Sequence, residues 1–148
     1  MMKLLLPALV TAASAAVIAP RDVVFEARNF TASCLPPGST TCFYSLNLFM
    51  PGTMDTQGYN CTASGTGGPG LLPEIQGGTC LPSSRTFDVL RNETGMTVIA
   101  SVQVSRLSYT RGAHFIPSEQ IQLTHGDDPL EVYTAYVGPK DFPLERIW

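Results

Sequence analysis

Apolar side chains in this chain recur at every second position rather than every third or fourth. Val23, Phe25 and Ala27 alternate with Val24, Glu26 and Arg28, and Tyr44, Leu46 and Leu48 alternate with Ser45 and Asn47. The longest run sets Met96, Val98, Ala100, Val102 and Val104 on one face against Thr97, Ser101, Gln103 and Ser105, with Ile99 the apolar exception. Residues 87–90, 121–124 and 132–136 repeat the pattern. Successive side chains of a strand point to opposite faces, so this spacing predicts half-buried antiparallel strands. Gly, Pro, Asn and Asp clusters at 36–39, 51–52, 92–95 and 126–129 supply the turns. The predicted fold is all-β, a compact antiparallel β-barrel with a β-sandwich as the alternative; a barrel hides its strand edges better. Tyr44, Leu46, Val98, Ala100, Val102 and Tyr136 are expected inside it.

The N-terminus has a different pattern. Lys3 precedes an apolar run from Leu4 to Val10, followed by the small residues Ala12-Ala13-Ser14-Ala15-Ala16. A charged start, a short apolar core and a small-residue exit describe a secretory signal, too short to span a bilayer. Residues 1–16 are therefore expected to be a signal peptide cut after Ala16, and 17–148 a single secreted domain. Loss of Lys3 leaves eight basic against twelve acidic residues, a net charge of −4. No cluster of Lys or Arg is present, so nucleic acid is not an expected partner. No second apolar run reaches membrane-span length.

Export to an oxidising compartment gives the four cysteines a role. Three pairings are possible. Cys34 and Cys42 flank a turn-rich stretch, and Cys61 and Cys80 bracket a Gly/Pro-rich one, so sequential pairing, 34–42 and 61–80, is expected with no free thiol. No Cys-x-x-Cys occurs, and no metal or cofactor is expected. Three sequons, Asn29-Phe30-Thr31, Asn60-Cys61-Thr62 and Asn92-Glu93-Thr94, are candidate glycan sites. Asn92, in a turn, is the best placed and Asn60, beside Cys61, the poorest.

Catalytic groupings are sparse. His114 and His125 are the only histidines. Arg111, His114 and Glu119 could suggest a ribonuclease-like site, but on a strand Arg111 and His114 point to opposite faces. Asp127 and Asp128 fall short of a calcium loop. Two segments break the alternation: residues 64–79, with Leu71, Leu72 and Ile75, and the tail from Gly138, with Phe142, Leu144, Ile147 and Trp148. These apolar residues either plug the barrel or meet a partner. Leu71, Leu72, Ile75, Phe142, Ile147 and Trp148 are the candidate contact residues.

The leader, the run Asn29-Phe30-Thr31-Ala32-Ser33-Cys34, then Cys42-Phe43-Tyr44-Ser45-Leu46, Tyr59-Asn60-Cys61-Thr62-Ala63, a loop closing at Cys80, Phe87-Asp88-Val89 and Met96-Thr97-Val98-Ile99 together resemble the secreted Alternaria major-allergen family. Fungal elicitors of the plant hypersensitive response stand beside it. The resemblance spans most of the mature chain and implies a single-domain β-barrel released outside the hypha, in contact with host immunity, with no established enzyme mechanism. The chain departs from the allergen in having no cysteine beyond Cys80. The expected function is that of a secreted fungal effector or elicitor-like protein that binds a host extracellular protein or small ligand rather than catalysing a reaction. The alternative is a carbohydrate- or small-ligand-binding barrel of the fungal wall.

Overall fold

The computed structural model describes residues 22–36, 40–67, 71–128 and 130–148; the expected signal peptide and its cleavage site lie outside them. The described residues form ten strands: β1 (Val23–Cys34), β2 (Thr41–Phe49), β3 (Tyr59–Thr66), β4 (Ile75–Cys80), β5 (Ser83–Asn92), β6 (Gly95–Ser105), β7 (Ser108–Pro117), β8 (Ile121–His125), β9 (Val132–Tyr136) and β10 (Phe142–Arg146). A short 3-10 turn, Ser118–Gln120, links β7 to β8. Eight strands run in the order β10-β7-β6-β5-β4-β3-β2-β1, and β1 returns to β10. This is a closed antiparallel barrel, not a sandwich. The β8–β9 hairpin stands outside it, joined to β1 through Ser33 and Ala135.

Most strands alternate as their sequence requires, but β1 changes face halfway. Phe25 and Ala27 are buried at odd positions, Phe30, Ala32 and Cys34 at even ones. The register against β2 shifts between Arg28 and Thr31, where Asn29 has φ 54°. Asn tolerates this left-handed conformation better than most residues, and one extra residue flips every side chain that follows. The bulge is fastened from outside: the Asn29 N–H donates to Asp141 Oδ1 at 2.9 Å and the Phe30 N–H to the Lys140 carbonyl at 2.8 Å. Phe30 thereby enters the core against Tyr44, Tyr136 and Phe142, with ring centroids at 6.3, 4.9 and 5.3 Å.

The barrel interior is filled by Phe25, Phe30, Tyr44, Leu46, Leu48, Phe87, Val89, Val98 and Leu144. Gly78 makes room for one of them, since a Cβ there would lie 2.4 Å from the Phe87 ring. Tyr44, Leu46, Val98 and Ala100 are buried as expected. Val102 and Tyr136 pack on the core while remaining partly exposed. Both disulfides follow the sequential pairing. Cys34 lies opposite Cys42 in the β1–β2 ladder. Cys61 and Cys80 flank Thr62–Thr79, the one residue pair recorded between β3 and β4. The second disulfide thus fastens the thinnest seam of the barrel.

Strand direction sorts the connections between two ends. Of the described connections, residues 35–36, 40, 67, 71–74, 93–94, 118–128 and 130–131 gather at one end. Residues 50–58, 81–82 and 106–107, with Asp22 and Trp148, gather at the other. At this second end Arg85 Nη1 donates to Asp55 Oδ2 and to the Leu48 carbonyl, both at 2.8 Å. The two side chains are only 10% and 9% exposed. Burial alone would raise the Asp55 carboxyl, but the Met50 N–H, Arg85 and the Gly58 N–H outweigh it and bring it down to about 2.

Candidate binding surface at the strapped end

Residues 71–74 cross the first end of the barrel as a strap. Leu72 sits under it, 2% exposed, because the backbone on either side is tied to the wall. The Tyr44 hydroxyl donates to the Pro73 carbonyl at 2.6 Å. Arg91 Nη1 donates to the Leu72 carbonyl at 2.9 Å, and the Arg91 N–H to Glu74 Oε2 at 2.8 Å. Burial pushes the Tyr44 phenol well above its ordinary range, only partly countered by the Arg91 charge, so it stays a neutral donor. The strap leaves Leu71 45% exposed. Beside it lies a cleft of about 130 Å³, apolar at Leu71, Leu72, Met96 and Ile121 and polar at Arg91, Asn92, Glu93 and Ser118. Typical small-molecule sites begin near ~300 Å³; this one suits a single side chain of a partner.

The six candidate contact residues separate on folding. Leu72, Ile75 and Phe142 are buried at 2, 6 and 6% exposure, so these three candidate contacts belong to the core and not to an exposed surface. Ile75 opens β4 and Phe142 opens β10, both strands that the sequence pattern did not disclose. Leu71 remains exposed at the strapped end, while Ile147 is half-buried and Trp148 fully exposed at the other. The Ile147 N–H donates to the Arg111 carbonyl at 3.0 Å, and the Arg146 guanidinium lies 5.3 Å from the Trp148 ring. The loop and tail clusters do not form one surface.

The sequons lie on exposed residues, Asn29, Asn60 and Asn92. Asn92 Oδ1 accepts the N–H groups of Thr94 and Gly95 and the Thr94 hydroxyl, shaping the β5–β6 turn. Asn60 Oδ1 accepts a bond from Asn47 at 3.2 Å.

Arg111, His114 and Glu119 do not converge. Arg111 is exposed, Glu119 lies on the 3-10 turn, and His114 turns inward to stack on Phe142 at 3.9 Å. Among the described residues no three His, Cys, Asp or Glu side chains gather as a metal site. Asp128 instead shapes the β8–β9 turn, accepting the Leu130 N–H at 3.0 Å. Burial lowers the His114 pKa below 6.5, with Glu145 opposing. The folded state therefore favours neutral His114, and its contribution to stability is complete above 6.5 and lost as pH falls through the lower folded value. Melting temperatures measured from about pH 8 to about pH 5 should decline, and His114→Phe should flatten part of that decline. An unchanged profile in the variant would show that His114 does not titrate against the fold.

No protein-family model and no curated protein matches the sequence. The architecture does have a solved counterpart: the chain is similar to the crystal structure of the major allergen Alt a 1 of Alternaria alternata. The match covers 87% of this chain and 96% of the allergen, with a TM-score of 0.50 and 14% sequence identity. The likeness is one of fold: an allergen-like, disulfide-bonded β-barrel.

Proposed function

We propose that the protein is a secreted fungal effector or elicitor-like protein that binds a host extracellular defence component through the strapped end of the barrel. The observation that carries this reading is the exposure of Leu71 beside a tied-down strap and a small cleft. It stands exposed on a strap held by Tyr44 and Arg91, next to a cleft sized for one side chain. An apolar side chain carried on a strap already tied to the wall loses less freedom on binding than one on an untethered loop. The leader, the sequons, the two disulfides and the allergen-like fold support an extracellular place of work. Side chains occupy the barrel axis, which favours recognition on the outer surface over a ligand held inside.

Leaf infiltration tests the proposal. Wild-type protein should elicit a defence response, and Leu71→Ser should lose most of it while its stability changes by no more than about 0.5 kcal/mol. Leu72→Ala, one residue away, should cost about 2–5 kcal/mol because it empties a core site. A full response from folded Leu71→Ser would place the contact elsewhere. Silence from the wild type, together with retention on chitin or glucan, would favour the wall-associated alternative.

A further inference from the structure

We infer that the outer edge of β8 docks an extended, basic segment of a partner protein as an added β-strand. This rests on the reading of the protein as one that acts by binding, and it names the chemistry of the partner. Among the described strands, β8 is the only one with a neighbour on a single side. Its backbone orientation follows from the bonds that bracket it: Val137 N–H to the Gln120 carbonyl at 2.8 Å, and Gly126 N–H to the Glu131 carbonyl at 2.7 Å. Antiparallel ladders alternate, so even-numbered residues between these bonds face β9 and odd-numbered ones face away. The Ile121 N–H returns to the Ser118 carbonyl. The Ile121 carbonyl and both backbone groups of Leu123 and His125 thus point along the open edge.

Proteins ordinarily blunt such edges with Lys, Pro or a bulge. Ile121–His125 contains neither residue, and its register with β9 is unbroken. Leu123, at its centre, is 63% exposed. Charge decides the occupant. Glu119 precedes the strand and Asp127 and Asp128 follow it, all exposed. A second copy paired about Leu123 would set Asp127 of each chain opposite Glu119 of the other, which is unfavourable. A segment with an apolar residue at its middle and Lys or Arg at its ends meets Leu123 and all three carboxylates favourably. Ile121 also lines the cleft beside Leu71, so a strand laid on β8 runs toward the proposed binding surface.

The test titrates isotope-labelled protein with the synthetic peptide KTVTLTVTK and its acidic counterpart ETVTLTVTE, followed by NMR. The basic peptide should shift the amides of Leu123 and His125 and bind roughly tenfold or more tightly than the acidic one, weakening as salt rises from about 50 to about 500 mM. Leu123→Pro should abolish binding while preserving the fold, because the Leu123 N–H faces outward and Pro is tolerated at an edge. Leu123→Lys, which keeps that N–H, serves as the second variant should the proline disturb the hairpin; it should weaken basic-peptide binding by charge. Equal binding of both peptides, shifts confined to other strands, no binding, or dimerisation through β8 would each overturn the inference. A folded Leu123→Pro that no longer binds peptide but elicits a full leaf response would also overturn it, leaving the broader binding reading intact. A wild type that is silent in leaves but binds the basic peptide at β8 would refute the broader reading instead.

Discussion

Removing residues 141–148 is expected to abolish the folded barrel. These residues supply β10, which pairs with β1 on one side and β7 on the other and so closes the sheet on itself. They carry Phe142 and Leu144, at 6% and 0% exposure, and Asp141, which caps the β1 bulge. Each large buried side chain contributes about 2–5 kcal/mol, against a total stability of about 5–15 kcal/mol for an ordinary domain. Loss of the strand also opens two edges. The truncated chain should show no cooperative thermal transition by circular dichroism, and Leu144→Ala in the full chain should lose about 2–5 kcal/mol. A truncated protein that melts cooperatively near the wild-type temperature would show that the barrel does not need β10.

Asp55→Ala should be the most damaging single polar substitution, costing about 3–5 kcal/mol in denaturant unfolding, because it leaves the Arg85 guanidinium buried and unpaired. Replacing both partners, Asp55→Leu with Arg85→Met, should recover most of that loss, since an apolar pair of similar volume avoids the desolvation of two charges. If the single and double variants are equally unstable, the hydrogen bonds that Asp55 accepts from Met50 and Gly58 matter more than the ion pair. The acid limb follows in sign. Asp55 titrates at about 2 in the fold against 3.8 ordinarily, so its contribution is complete above 3.8 and gone once pH has fallen through 2.

The strands legible in the sequence are those whose inner face is large and apolar. β2, β5 and the first half of β6 line the barrel with Tyr44, Leu46, Phe87, Val89, Val98 and Ala100 at strict alternation. β3 is less visible because small inner residues face the strap and the start of β4: a Cβ on Gly65 would sit 3.2 Å from Pro73 Cγ and 2.8 Å from Ile75 Cδ1. β4 reads as loop because its register slips between Ile75 and Gly78. β10 reads as tail because Pro143 interrupts it; the proline is tolerated where β10 has no ladder with β7, which begins at Glu145. The same three strands explain the fate of the candidate site. Leu72, Ile75 and Phe142 looked unclaimed because the elements that bury them carry little periodic signal. Leu71 kept its place at the surface, and the open edge of β8 has no signature in sequence, since only the completed sheet order shows which strand lacks a neighbour.

Closing the ring through β1 and β10 also sets a timetable. Asp22 and Arg146, which meet at that seam, are 124 residues apart. A chain made from its N-terminus produces β1 first and β10 last of the ten strands, so the barrel remains an open curved sheet until nearly all of it has been delivered. Contacts of such long range slow folding and prolong exposure of unpaired strands to neighbouring chains. Recovery of active protein should therefore fall steeply with chain concentration during refolding, and a holdase present during delivery should raise the yield without altering the final stability.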